Sequence, residues 1–398
     1  MKLKFLSLPL LSLALIGCTW TPVNKDYKIR EKTTFSDFSS LNKPVIIAST
    51  LSQTFEHNEY STTRRYGSLL AIYDWESNSV YDYVYSPDRS FRGNQVLMTQ
   101  ATLEDNSSIF YGLGEYNLNY ITPDGSSIKT QDFPKNSLFS TKWAATEFAP
   151  GTSPVLFSSH YDYTDNKLKC RAIEIDPVTK KTKEGLLFDD SWPSLGDLSS
   201  VTDSNGTVWV IYRTDRDENE ESKTVIKKLN KTTLGLENSF AELPNMSGTY
   251  DIYDGWENRY YYVLLYADTE NLVLRKYIYT NNPVNEASLV TINLSTKQIT
   301  EIDFGSDKSI RAAARLNGKL YAFTGAYDEK WSPYEINIST ATATKVPAEI
   351  AIPRCDDTFI RGNKIFFVDS YDGQINIYCF DAQTASFTQV KTITLGDL

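Results

Sequence analysis

The stretch YCFDAQTASFTQV at 378–390 repeats, in letters or in chemistry, the stretch YEINISTATATKV at 334–346, 44 residues earlier. Each reads as a strand, a turn and a second strand. Their shared grammar is an apolar residue, then Asn or Asp, then two residues, then Thr or Ser: INIST at 336–340 and FDAQT at 380–384. The same grammar stands in INLST (292–296), IDPVT (175–179) and LNKTT (229–233), with looser forms in YDWES (73–77) and ITPDGS (121–126). On the Asn/Asp column, or Thr122 in its place, the positions are 74, 122, 176, 230, 293, 337 and 381. The gaps of 44 to 63 residues between them suit four short strands plus turns, and self-similarity at such a period marks a repeat architecture. An Asn or Asp at the end of a strand accepts a hydrogen bond from the backbone two residues on and helps the chain reverse. These residues are expected to build turns and to catalyse nothing.

A hydrophobic strand precedes each signature: KPVIIAST (43–50), SSIFYGLGEY (107–116), SPVLFSSHY (153–161), TVWVIY (207–212), RYYYVLLYA (259–267), GKLYAFTGAY (318–327) and NKIFFVDSY (363–371). Ahead of these lies another short strand, such as SIRAAARL (309–316) or DTFIRG (357–362). Tyr, Phe, Val, Ile and Thr in short runs bounded by Asn, Asp, Gly and Ser, with no long helix-period segment, give an all-β chain. Each unit is then a meander of strands A, B, C and D. A lone twisted sheet cannot hide both faces. Radial packing of such sheets does so and leaves no long open edge. The expectation is a β-propeller of about seven four-stranded blades over residues 41–394. Its first blade lacks an A strand unless TTFSDF (33–38) supplies it.

In repeat length, and in the Y-x-[IF]-[ND]-x-x-T end of the third strand, the chain resembles the kelch and quinoprotein-like propellers. It departs from both: no blade has the kelch Gly-Gly pair, and none has the Trp that quinoprotein repeats place after the turn. WD40 Gly-His and Trp-Asp patterns and sialidase Asp boxes are missing as well. The resemblance is to an architecture and transfers no function. Lipid-anchored propellers of similar size include the scaffold subunit of the outer-membrane β-barrel assembly machine, an analogy at the level of the fold.

Residues 1–17 carry Lys2 and Lys4 ahead of the apolar run FLSLPLLSLALIG, too short for a membrane span and shaped like a secretory signal peptide. The run ends in LIGC, Leu15 to Cys18, which resembles the bacterial lipobox. That resemblance implies lipidation of Cys18 by acyl chains of the palmitate type. With Thr19 rather than Asp next, it implies an outer-membrane destination, facing the periplasm or the outside. More than one acyl chain holds firmly where a single one does not. Residues 18–40 then read as the lipidated Cys and a polar tether, and the membrane is a partner through that lipid.

The formal charge of the chain is −10. Without the two Lys of the signal, 38 basic face 50 acidic residues, a balance of −12 that argues against a nucleic-acid partner. Besides Cys18 there are Cys170, Cys355 and Cys379, so a cysteine-stapled scaffold is excluded. Cys170 and Cys379 fall on third strands and read as small buried apolar residues. Only His57 and His160 exist, which leaves no multi-His metal site and little general base. No cofactor motif is present.

Catalytic motifs are scarce. SSIK (126–129) has Ser-x-x-Lys spacing but follows PDG in a turn, where no helix brings Lys to Ser. GLGEY (112–116) has no helix behind it to present amides to a phosphate. DRDENEE (215–221) spaces Asp215, Asp217 and Asn219 as in a Ca²⁺ loop, with Glu220 where Gly is needed, and it fits a solvated acidic loop better. Propeller sites gather where B–C and D–A loops meet around the channel. Those loops hold Arg64, Arg65 and Tyr66 (52–66), Asp88 and Arg89 (86–94), His160 and Tyr163 (160–166), Asp190 and Trp192 (188–193), and Tyr327 and Trp331 (325–333). Aromatic rings beside Arg and Asp stack on and hydrogen-bond sugars or partner side chains. The favoured reading is a lipid-anchored binding or scaffolding module for a protein or a glycan. Two others stand beside it: a glycan-active enzyme with paired carboxylates at the channel, and a subunit of an outer-membrane assembly machine.

Overall fold

The computed structural model describes residues 32, 36, 43, 45–57, 62–86, 97–102, 108–113, 117–121, 127–132, 140–145, 147–162, 164, 167–179, 181–188, 198–214, 223–251, 255–279, 286–306, 309–325, 330–371 and 374–394. They form antiparallel sheets and no helix among the described residues. The first sheet has three strands, β1 (Ile46–His57), β2 (Thr62–Asp74) and β3 (Ser79–Ser86). The second runs outward from β4 (Leu97–Thr102) through β5 (Ser108–Leu113) and β6 (Asn117–Ile121) to β7 (Ser127–Asp132). The third comprises β8 (Ser140–Trp143), β10 (Val155–Asp162), β11 (Lys167–Ile175) and β12 (Thr182–Phe188). Between β8 and β10, the short β9 (Glu147–Phe148) pairs in parallel with β4 and becomes a fifth strand of the second sheet.

The fourth sheet is β13 (Ser199–Thr202), β14 (Val208–Arg213), β15 (Lys223–Lys228) and β16 (Ala241–Pro244). The fifth is β17 (Met246–Asp251), β18 (Gly255–Ala267), β19 (Asn271–Tyr279), β20 (Glu286–Asn293) and β21 (Ile299–Ser306). The sixth is β22 (Ile310–Leu316), β23 (Lys319–Thr324), β24 (Lys330–Asn337) and β25 (Thr342–Lys345), with β26 (Ile350–Ala351) on β24. The last is β27 (Asp357–Arg361), β28 (Lys364–Tyr371), β29 (Gln374–Asp381) and β30 (Ser386–Thr394).

The chain is an all-β propeller. Six of its sheets have four strands or more, which corrects the expected seven four-stranded blades to six. The repeat signature closes the third strand of a unit and so marks the β1–β3 sheet even though no A strand pairs with β1 among the described residues. Nor does the 33–38 segment supply that strand as far as it is described. Ser36 N–H donates to Asp82 on β3, the opposite edge of the sheet. A second correction concerns RYYYVLLYA, which is the A strand β18 and not the strand next to the signature. β19 intervenes, and the added length before Asn293 accommodates the β17–β18 pairing.

The turns follow the signature. Asp74, Asp176, Asn230, Asn293, Asn337 and Asp381 each accept, through the side chain, from backbone N–H groups two or three residues on. At Asn293, Ser295 and Thr296 N–H donate at 3.0 and 2.8 Å. The residue four places after the Asn/Asp then takes a left-handed backbone: Asn78, Leu234, Lys297, Ala341 and Ala385 have φ of 50° to 60°. That rotation returns the chain into the next strand, and Lys297 N–H closes onto Asn293 O at 2.9 Å.

Apolar faces meet between successive sheets. One core joins Phe157 and Cys170 to Val208 and Val210, the next Trp209 and Ile226 to Leu264 and Leu272, and a third Val273 and Leu289 to Ile310 and Ala322. The sixth and last sheets meet on aromatic rings, where Phe323 packs edge-on at 5.0 Å from Phe367 and 5.4 Å from Phe380. A final core joins Ile46, Leu69 and Tyr73 of the first sheet to Phe366, Ile375 and Ile393 of the last, and so closes the ring by packing without exchange of a strand. Burial at about 25 cal/mol per Å² makes these shared faces the main source of stability. Cys170 and Cys379 lie buried on third strands, as read from the sequence. Neither they nor Cys355 forms a disulfide among the described residues.

Candidate functional site

At the end of the sheets where B strands run out and A strands begin, two cavities lie side by side and share Val263 as a wall. The larger, about 510 Å³, is lined by A strands of the third, fourth and fifth sheets and by the end of β14. Its wall includes Lys142, Ser199, Arg213, Tyr261, Tyr262 and Tyr277. Lys142 Nζ donates to Leu198 O, which ties the third sheet to the fourth. Ser199 Oγ accepts from Leu264 N–H at 3.1 Å and ties the fourth to the fifth. Tyr262 OH donates to Pro244 O at 3.1 Å, and burial pushes its phenol well above the usual range.

Strand pairing builds the wall that both cavities share. Tyr261 on β18 stands opposite Tyr277 on β19, and Val263 stands opposite Arg275. Because side chains alternate faces along a strand, these four share one face. The Tyr261 and Tyr277 rings stack, with centroids 5.0 Å apart and planes 11° from parallel. Arg213 lies over the Tyr261 ring at 5.5 Å and Arg275 over the Tyr277 ring at 5.0 Å. The result is a continuous run of cation, ring, ring and cation, in which each guanidinium faces the negative side of a π-system.

The smaller cavity, about 370 Å³, lies beyond Arg275 and is lined also by Arg311, Trp331, Arg354, Cys355 and Asp356. Arg275 Nη1 donates to Ile310 O at 3.2 Å, while its buried Nε finds no acceptor among the described residues. Burial lowers the pKa of Arg275, and the nearby Arg311 charge lowers it further. Arg311 Nε donates to Gly325 O at 3.1 Å. Burial pushes the Cys355 thiol far up, with Asp357 and Asp356 adding to the shift, so this is an inert thiol and not a nucleophile. A further cavity of about 530 Å³ lies by β3 and β30, where Lys32 pairs with Asp82. Burial raises the pKa of Asp82, but Lys32 and two backbone N–H groups outweigh it and hold the carboxyl below its usual value.

Among the described residues, Trp331 is the one sequence candidate that lines this site. It lies on β24 rather than on a loop, is 2 % exposed, packs 5.5 Å from Phe367, and its buried Nε1 has no acceptor among the described residues. Arg64, Arg65 and Tyr66, expected on a loop, lie on β2 opposite Phe55, Thr54 and Gln53, because the β1–β2 register runs on to His57 and Thr62. His160 likewise lies on β10, opposite Lys169. Cys18, Asp88, Arg89, Tyr163, Asp190, Trp192, Tyr327 and the Ca²⁺ candidates Asp215, Asp217 and Asn219 lie outside the described residues. Among the described residues no group of three His, Cys, Asp or Glu is placed to hold a metal.

The sequence rule of B–C and D–A junctions did not single out Arg213, Tyr261, Arg275, Tyr277, Arg311 or Arg354. A signal existed in RYYYV (259–263) and LRKY (274–277), where large polar and aromatic residues interrupt strands that otherwise bury Leu and Val.

No family model and no curated protein sequence matches the chain. Among solved structures, it is similar to a puromycin-hydrolyzing peptidase of Mycobacterium tuberculosis, at 9% identity and a TM-score of 0.48 over 91% of this chain. The chain spans 57% of that peptidase. An oligogalacturonate lyase in complex with manganese is similar at 10% identity and a TM-score of 0.46, over 87% of this chain and 85% of the lyase. The β-propeller domain of the Trilobed protease from Pyrococcus furiosus, described as having an open velcro topology, is similar at 10% identity and a TM-score of 0.41. That likeness covers 88% of this chain and 95% of the domain. No activity transfers from likenesses this distant.

Proposed function

We propose that the chain is an exported β-propeller, anchored by lipid on Cys18 to the outer membrane, that binds a glycan in the paired cavities. The observation that carries this reading is the Arg213–Tyr261–Tyr277–Arg275 run along their shared wall. Concave sites of a few hundred Å³ with aromatic walls and a few convergent polar groups suit a small or extended ligand better than a flat protein surface does. Fixed rings offer contact area at little entropic cost, and guanidiniums supply directional donors. Neither cavity is lined by two carboxylates, which supports binding over carboxylate-based glycoside hydrolysis.

The test uses the intact lipoprotein in detergent on an array of bacterial-surface oligosaccharides, beside Tyr277→Ala and Cys18→Ala variants whose folding is checked by circular dichroism. Binding that fails with Tyr277→Ala, and loss of membrane association with Cys18→Ala, are expected. A silent array with folded protein, or binding indifferent to Tyr277, removes the glycan reading. Cys18→Ala protein that stays with the membrane fraction removes the anchor.

A further inference from the structure

Three guanidinium groups converge on the smaller cavity in a chain that is acidic overall, with 50 Asp and Glu against 40 Lys and Arg. Arg275 comes from β19, Arg311 from β22, and Arg354 from the segment between β26 and β27, so three separate elements bring positive charge to one space. One carboxylate, Asp356, lines the cavity with them, while Asp357 and Asp369 act on its Cys355 wall and Asp369 also faces Arg354. Burial is the main cause of the lowered Arg275 pKa, and the Arg311 charge lowers it further, so these two like charges disfavour one another. Stability alone gives no reason to gather them, because a buried N–H donor without an acceptor is costly. Two such donors belong to residues of this cavity, Arg275 Nε and Trp331 Nε1. An oxyanion supplies what these two donors lack: several acceptor lone pairs in a planar or tetrahedral group that guanidiniums grip well.

We infer that the cavity formed by Arg275, Arg311 and Arg354 seats a carboxylate or sulfate group of an acidic glycan, whose neighbouring residue lies against Tyr277 and Tyr261 in the larger cavity. The inference rests on the glycan-binding reading and narrows it to anionic saccharides. Arg275 links the two subsites, since one face of its guanidinium covers Tyr277 while its Nη1 is fixed on Ile310 O. Arg311 and Arg354 are exposed. Their replacement removes charge at the site without opening a core.

Trp331 lines the cavity, so its fluorescence reports occupancy, and a Trp331→Phe variant identifies its share of the signal. The intact lipoprotein is titrated at low salt with three probes of equal length: an oligosaccharide bearing uronic acids, its carboxyl-reduced neutral form, and that neutral form after sulfation. Binding of one or both acidic probes, at least tenfold weaker for the neutral one, is expected. Arg311→Ala and Arg354→Ala should each weaken the acidic probe about tenfold, and half-molar salt should act in the same direction. Preference for the uronate over the sulfated probe identifies carboxylate as the seated group, and the reverse preference identifies sulfate. Equal binding of acidic and neutral probes, insensitive to Arg311 and Arg354, overturns the anion subsite and leaves glycan binding intact. Failure of all three probes with folded protein overturns both. Arg311→Lys separates charge from geometry: restored binding assigns the effect to charge, and continued weakness assigns it to the planar guanidinium.

Discussion

Arg361 Nη1 lies 2.6 Å from Glu147 Oε2, although 214 residues of chain separate them. Arg361 ends β27, the innermost strand of the last sheet, and Glu147 opens β9, the innermost strand of the second. Between these two sheets stands the three-stranded β1–β3 sheet, which has no strand inside β1 among the described residues. The same guanidinium donates to Val45 O just before β1 and to Ile360 O of its own strand, and it rests over the Phe359 ring. One side chain, 5 % exposed, thus ties three sheets together where the first and last described sheets meet.

Arg361→Ala should therefore destabilise the protein by about 3 kcal/mol, the range for removing one partner of a buried pair. Thermal and urea unfolding measure this. Arg361→Lys should recover less than half of the loss, because a single ammonium does not reach Val45 O and Glu147 together. A double-mutant cycle with Glu147→Gln should give a coupling of about 1 kcal/mol or more. A variant that melts like the parent means that ring closure depends on the apolar core alone.

The left-handed residue after each signature turn gives an independent prediction. Ala341 and Ala385 hold φ of 52° with a Cβ that makes this region costly, by about 1–2 kcal/mol for an L-residue. Glycine removes that strain but adds about 0.5–1 kcal/mol of backbone entropy to the unfolded chain. Ala341→Gly and Ala385→Gly should each stabilise by about 0.5 kcal/mol, and the two should add. Asn337→Ala, which removes the acceptor for Thr340 N–H, should cost about 1 kcal/mol. Equilibrium unfolding in urea resolves both signs.

These turns also show how far the sequence could be read. The Asn/Asp column found the end of every third strand with a described turn, since an Asx turn needs a particular side chain at a particular place. The left-handed residue four places on was not legible, because Leu234, Lys297, Ala341 and Ala385 are not residues that favour it. The turn imposes the conformation and the sequence carries no mark of it. Blade number was misread for a related reason: a signature on the third strand says nothing about whether a first strand exists. At the candidate site, cross-strand register brings Tyr261 to Tyr277 and Val263 to Arg275, and register is a property of two strands that neither displays alone. Trp331 was singled out as a loop aromatic, and it is instead a buried strand residue whose ring also bounds the cavity.

Gly325 closes β23 beside Trp331. A Cβ there would stand 2.4 Å from Trp331 Cδ1, far inside contact distance. Gly325→Ala forces the indole to move, and because the ring packs against Phe367 the movement is resisted. The variant should lose about 1–3 kcal/mol, the usual cost of overpacking. Its tryptophan emission should also shift to the red as the ring gains solvent. Unchanged emission together with unchanged stability would show that the backbone at 325 yields instead of the ring.

Asp369 on β28 provides the pH dependence. Its carboxyl is 2 % exposed, accepts from Asn376 Nδ2 at 3.3 Å and from the Arg354 backbone N–H, and leaves Oδ1 without a donor among the described residues. Burial raises its pKa above the ordinary 3.8 and the Asp356 charge raises it further, while the Asn376 bond and the charge and backbone N–H of Arg354 only partly oppose them. A carboxyl whose pKa is higher in the folded than in the unfolded state holds its proton more tightly when folded. Its contribution is therefore most favourable below the ordinary value and declines as pH rises through the folded one. At neutral pH the ionised Asp369 weakens the protein. Asp369→Asn keeps an oxygen for Asn376, sheds the charge beside Asp356, and should raise the melting temperature at pH 7. The advantage should shrink on acidification and vanish where the parent carboxyl is protonated, below the ordinary carboxylate range. Parallel melts of parent and variant between pH 3 and 7.5 test this directly: a difference constant with pH would mean that packing at 369, and not its ionisation, sets the effect.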